Sequence, residues 1–123
     1  MKKRILIADD EPHILRVTEL SLKKGGFEIL LARDGKQAVE LTVAEKPDLV
    51  VLDVMMPEMD GFEALRELKS RPDTAHIPVI ILTSRGQRIV REEAETSGAV
   101  LYLTKPFSPS ELLSEARRIL EPT

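Results

Sequence analysis

The sequence predicts an α/β domain, an open parallel sheet doubly wound with helices. Three observations predict it. Short runs rich in Val, Ile and Leu recur without polar alternation, as in strands buried on both faces. Segments with helical apolar periodicity separate them. The runs also end in polar residues, and an open parallel sheet binds ligands outside the carboxyl ends of its strands.

The elements follow in chain order. Arg4-Ile5-Leu6-Ile7-Ala8 is the first strand, running into Asp9-Asp10-Glu11. Ile14, Leu15, Thr18 and Leu22 then form the stripe of a first helix, which Gly25-Gly26 stops. Phe27 to Ala32 is the second strand. It ends in Arg33-Asp34-Gly35, which reads as a plain helix start. The second helix covers roughly Lys36–Glu45 and presents Ala38, Leu41 and Thr42. Leu49-Val50-Val51-Leu52 is the third strand, ending at Asp53, and Phe62, Leu65 and Leu68 mark the third helix. Val79-Ile80-Ile81-Leu82 runs into Thr83 as the fourth strand. A fourth helix is expected over roughly Gln87–Ser97, with Val90 and Ala94 inward and Gly98 as its stop. Val100-Leu101-Tyr102-Leu103 is the fifth strand, running into Thr104-Lys105-Pro106. Leu112, Leu113, Ala116, Ile119 and Leu120 form the stripe of the fifth helix. Asp34 and Asp60 stand three residues before Gln37 and Glu63, a capping-box spacing. Ser108-Pro109-Ser110-Glu111 adds Pro at the first helical position. The order is (βα) five times, and right-handed crossovers put helices on both faces.

The 123 residues are expected to form one domain, 1–123, large enough to bury a core. The chain has no cysteine, which excludes disulfides and thiolate metal sites and fits a reducing cytoplasm. Its net charge of −3 comes from 18 basic and 21 acidic residues interspersed, with no basic block to mark a nucleic-acid footprint. The apolar stretch after Met1-Lys2-Lys3-Arg4 is too short for a signal peptide or a membrane span.

The strand ends carry the chemistry. Asp9, Asp10 and Asp53 on neighbouring strands repel one another, by a few kcal/mol for charges about 4 Å apart at an effective dielectric of about 20. Such a cluster persists with shared protons or a bound cation. Mg²⁺, a hard ion that keeps its waters, suits one or two carboxylates plus a phosphate. The bland reading is that Asp9 and Asp10 cap the first helix and Asp53 caps a turn. Lys105 can reach over the same edge as a point charge, against the plain reading of a surface lysine. Thr83 can donate its hydroxyl to a phosphoryl oxygen, or merely cap a turn. His13 and His76 have no partner at ligand spacing and read as surface residues. Met55, Met56 and Met59 read as loop packing.

Asp9-Asp10-Glu11, Asp53 with Met56-Pro57-Glu58-Met59-Asp60-Gly61, Leu82-Thr83-Ser84 and Lys105-Pro106-Phe107 together resemble the receiver domain of two-component response regulators, including the chemotaxis response regulator. The resemblance covers the whole chain and implies a flavodoxin-like (βα)5 sandwich with strand order 2-1-3-4-5. It implies that Asp53 is the phosphoacceptor, taking a phosphoryl group from the phosphohistidine of a histidine kinase or phosphotransfer protein. Asp10, Asp53 and the Met55 backbone carbonyl would ligate Mg²⁺, with Asp9 acting through water. Thr83 and Lys105 would bind phosphoryl oxygens. Tyr102 would be the switch aromatic that follows Thr83. The output would be a changed surface on the fourth helix, fifth strand and fifth helix, read by a protein partner or output domain. The domain would catalyse only its own phosphorylation and dephosphorylation.

Two positions depart from the family pattern. Val100-Leu101 stand where winged-helix regulators carry acidic residues that pair with arginines such as Arg117 and Arg118 across a dimer, which puts that dimer in doubt. Ser84 replaces the usual Ala and is still small. A metal-dependent aspartyl phosphohydrolase would need a cap segment that this chain has little length to supply. A non-phosphorylated module of the same fold would lack one of the acid, Thr or Lys positions. A flavin binder would need a phosphate loop where Asp9-Asp10 stand. The stop soon after the fifth helix favours a free-standing regulator over one piece of a longer chain.

Overall fold

In a computed structural model the described residues are 2–84 and 98–121. The strands are β1 (Arg4–Ala8), β2 (Glu28–Ala32), β3 (Leu49–Asp53), β4 (Val79–Ser84) and β5 (Leu101–Lys105). They form one sheet in the order β2-β1-β3-β4-β5, parallel at every pairing. The helices are α1 (Pro12–Lys24), α2 (Gly35–Glu45), α3 (Gly61–Lys69) and α4 (Pro109–Leu120). The α4 helix is the fifth of the sequence pattern. The helix expected over roughly Gln87–Ser97 lies outside the described residues.

Side chains of a strand point alternately to opposite faces. Ile5, Ile7, Leu49, Val51, Ile80 and Leu82 therefore face α1 and α4, meeting Leu15, Leu22, Leu112 and Ala116. Leu6, Val50, Leu52, Val79 and Ile81 face the other way and meet Ala38 of α2 and Ala64, Leu65 and Leu68 of α3. The strand runs lack polar alternation because both faces are covered. Fully burying one such side chain stabilises by about 1.5–3 kcal/mol.

Local signals set the helix ends. Asp60 and Glu63 close a full capping box at α3. Asp34 Oδ1 accepts from the Gln37 amide at 2.7 Å, but the Gln37 side chain turns back to the Arg33 amide rather than that of Asp34. Ser108 Oγ accepts from the Glu111 amide at 3.1 Å, with Pro109 in the first turn. Two strands run further than their apolar cores: β4 takes in Thr83 and Ser84, and β5 takes in Thr104 and Lys105. Ladder hydrogen bonds thus hold the backbones that carry Thr83 and Lys105. None of the described helices is long and apolar enough to cross a membrane.

Candidate phosphoacceptor site

Sheet register brings the strand ends to one edge. Ala8 pairs with Leu52, so Asp9 and Asp53 leave neighbouring strands at the same level. Asp53 pairs with Leu82, and Ser84 with Lys105, which sets Thr83 and Lys105 one and two steps further out. One carboxylate oxygen from each of Asp9, Asp10 and Asp53 lies within 4.8 Å of the other two. Asp9 and Asp53 are buried, while Asp10 is exposed.

Lys105 is the cation of this edge among the described residues. Its Nζ donates to Asp9 Oδ2 at 2.7 Å and to Asp53 Oδ2 at 3.1 Å, and stands 3.7 Å from Glu11 Oε1. The Lys105–Pro106 peptide is cis. The surface-lysine reading of Lys105 is set aside by its bonds to Asp9 and Asp53. The capping reading of the acids is set aside too: Glu11 is the N-cap of α1 and no side chain caps it, and both Asp9 oxygens have partners, the Glu11 amide at 3.0 Å and Lys105. Asp53 Oδ1 is buried and has no hydrogen-bond partner among the described residues.

The electrostatics follow from this packing. Burial, then the charge of Asp9, raises the Asp53 carboxyl to about 6, against the pull of Lys105. Burial also works against the Lys105 ammonium, but its bonds to Asp9 and Asp53 outweigh that and raise it above its ordinary value. Among the described residues the site holds more negative charge than Lys105 balances. An oxygen-only donor set with one orphaned buried oxygen and an exposed neighbouring carboxylate fits a hard divalent cation such as Mg²⁺.

The other expected residues fall as follows. The Thr83 hydroxyl is buried and donates to the Leu103 carbonyl at 3.5 Å, the long limit of a hydrogen bond. Tyr102 is half-buried against the α2–α3 layer, its ring 6.4 Å from that of Phe62. The Met55 side chain is exposed, while Met56 and Met59 pack on the core as expected. His13 and His76 are exposed. What sequence reasoning missed is a cavity of about 370 Å³ beside Lys105, walled by Glu11, His13, Ile14, Phe107 and Pro109. Its walls come from the start of α1 and the segment after β5, about 90 residues apart in the chain, and no short spacing signals such a meeting.

The chain belongs to the response regulator receiver domain family, whose sequence model matches residues 5–117. It is 41% identical over 120 residues to the DNA-binding dual master transcriptional regulator RpaA of Synechocystis sp., covering 98% of this chain and 50% of that protein. The chain thus spans about half the length of the curated relatives it matches. The receiver domain of sensor histidine kinase PA1611 from Pseudomonas aeruginosa, with a magnesium ion coordinated in its active site cleft, superimposes with a TM-score of 0.88 at 31% identity, covering 98% of each chain. Chemotaxis response regulator CheY4 of Vibrio cholerae gives 0.89 at 29% identity, covering 98% of this chain and all of that one. The fold is accordingly the flavodoxin-like (βα)5 arrangement of receiver domains, and the chain is a phosphoacceptor signalling domain of two-component systems.

Proposed function

We propose that this domain accepts a phosphoryl group on Asp53 from the phosphohistidine of a histidine kinase or phosphotransfer protein. The observation that carries this is the Asp53 carboxylate, buried at the strand edge with Oδ2 on Lys105 and Oδ1 without a hydrogen-bond partner among the described residues. An Asp53 oxygen attacks phosphorus, the P–O bond forms as the P–N bond breaks, and the imidazole departs with the bond's electron pair. Lys105 neutralises charge on the transferring oxygens, and Thr83 donates its hydroxyl to one of them. The cavity beside Lys105 gives the donor's side chain a way in, with Ile14 and Phe107 as apolar walls. Mg²⁺, when bound, offsets phosphoryl charge. Asp10, Asp53 and the Met55 carbonyl would hold it, and Asp9 would act through water because both its oxygens are engaged. The chain runs this reaction on itself and is not a turnover enzyme. Its output is read by a protein partner or an attached output domain, in the cytoplasm, without nucleic-acid contact by these residues.

Mg²⁺ is expected to bind the unphosphorylated protein and raise its melting temperature, by about 2.7 kcal/mol of stabilisation at one hundred times Kd. Asp10→Ala should lose that response. Thermal melts over a MgCl₂ series check this, and an equal shift in the variant would place the ion elsewhere.

The switch should run through Thr83. Its long bond to Leu103 is readily exchanged for one to a charged phosphoryl oxygen, worth roughly 1.5–3 kcal/mol. That difference is enough to reweight two conformers tenfold or more, with Tyr102 moving into the vacated space. The fourth-helix part of the proposed output face lies outside the described residues. At its β5 end, Val100 is 49% exposed and offers apolar surface to a partner. Thr83→Ala should still be labelled at Asp53 but lose the amide shifts that beryllofluoride, a phosphoryl mimic, causes over residues 98–103. Unchanged shifts there would take Thr83 out of the signal path.

A further inference from the structure

One strand end has no place in the chemistry above: Arg33-Asp34-Gly35, after β2. Its glycine is buried at the first residue of α2 and lies against the loop from β3 to α3. A Cβ at Gly35 would stand 1.9 Å from the Met59 carbonyl oxygen, 2.7 Å from its carbonyl carbon and 2.9 Å from the Met59 Cβ. Backbone meets backbone here, so no side-chain rotation can make room.

The loop has little slack with which to yield. The Val54 amide donates to the Leu82 carbonyl and the Gly61 amide to the Val54 carbonyl, each at 3.0 Å, closing residues 54–61 into a ring tied to β4. At its far end, a Cβ on Gly61 would lie 2.4 Å from the Asp53 carbonyl oxygen, so that end is packed against the phosphoacceptor's own backbone. Inside the ring the Met59 amide bonds the Pro57 carbonyl at 2.8 Å, and Glu58 is left-handed at φ 69°. A push on Met59 is therefore taken up between Met55 and Glu58, where the side chains of Met55, Pro57 and Glu58 lie in solvent.

We infer that Gly35 is a positioning residue for the metal loop: by letting the start of α2 seat directly on the Met59 carbonyl, it sets where the Met55 carbonyl stands relative to Asp53. This rests on the reading of Met55 as a Mg²⁺ ligand. Gly35 touches neither ion nor phosphoryl group and acts through the loop alone. Groups that orient the ligands of a metal typically change its affinity by 10–100-fold when altered.

The test compares Gly35→Ala with Gly26→Ala. Gly26 sits at φ +97° with open space where a Cβ would go, so alanine strains its backbone without touching the loop. Isothermal titration with MgCl₂ should show Kd raised about tenfold in Gly35→Ala, and unchanged in Gly26→Ala although both melt lower. Labelling by acetyl phosphate should be slow in Gly35→Ala at low Mg²⁺ and recover at saturating Mg²⁺, which mere loss of stability would not produce. Should Gly35→Ala fail to fold, Asp34→Ala loosens the same helix start by removing its bond to the Gln37 amide, and should weaken Mg²⁺ in the same direction by less. Wild-type Mg²⁺ affinity in folded Gly35→Ala, or in Asp34→Ala where that variant stands in, overturns the inference while leaving the metal site intact. Absence of Mg²⁺ binding by the wild type overturns the metal reading itself.

Discussion

Asp53→Asn is expected to abolish phosphoryl labelling by acetyl phosphate and Mg²⁺, while the wild type gains one phosphoryl group per chain. The amide is neither an adequate nucleophile nor an anionic ligand, so both contributions are lost together. The change is nearly isosteric at a position only 3% exposed, so the variant keeps the fold and the loss is chemical. Intact-mass spectrometry reads the result directly. Asp9 is the informative competitor, being a buried carboxylate on the next strand. It is already bonded at both oxygens, to the Glu11 amide and Lys105, whereas Asp53 Oδ1 has no such partner among the described residues. Equal labelling of wild type and Asp53→Asn would move the nucleophile to another acid.

Gly35 marks where reading by sequence stopped. As sequence, Asp34-Gly35 is a helix start, and Asp34 does cap α2. That the glycine also makes room for the Met59 carbonyl depends on how α2 packs across the loop, a contact spanning 24 positions. The cavity beside Lys105 was hidden for the same reason. The strand ends were legible because topology alone gathers them: a parallel sheet with right-handed crossovers puts the carboxyl end of every strand on one side, whatever the side chains. Asp9, Asp53, Thr83 and Lys105 follow from that rule. The partners chosen within the cluster do not. Sequence placed Lys105 over the acids in general, and only the geometry has it holding Asp9 and Asp53 at once while Asp10 stays exposed. The element boundaries missed by a residue or two at β4 and β5, since polar residues ended the apolar runs while the hydrogen-bond ladder continued through Thr83 and Lys105.

The metal-free domain should become more stable as pH falls from 7 toward 4, because burial and Asp9 outweigh the ion pair of Asp53 with Lys105. Asp53 is raised from 3.8 to about 6 by burial and by Asp9. Between those values the folded state holds a proton that the unfolded chain has released, so stability falls as pH rises through the window. The gain is complete below the unfolded value and gone above about 6. At about 1.36 kcal/mol per unit, the shift corresponds to roughly 2–3 kcal/mol. Lys105, raised above its ordinary 10.5, stays charged throughout and adds no slope. Asp73, whose carboxyl is lowered, loses its stabilising effect only as pH falls below the window. Urea unfolding in EDTA between pH 4.5 and 7.5 tests this. Asp53→Asn should be the more stable protein at pH 7.5, and the wild type should recover most of the gap by pH 4.5. Parallel curves would mean that Asp53 bears no excess repulsion. Added Mg²⁺ should flatten the wild-type slope, because a bound cation favours the ionised carboxylate. The repulsion at this edge and its affinity for a cation are then one electrostatic quantity, set by acids that outnumber the lysine among the described residues.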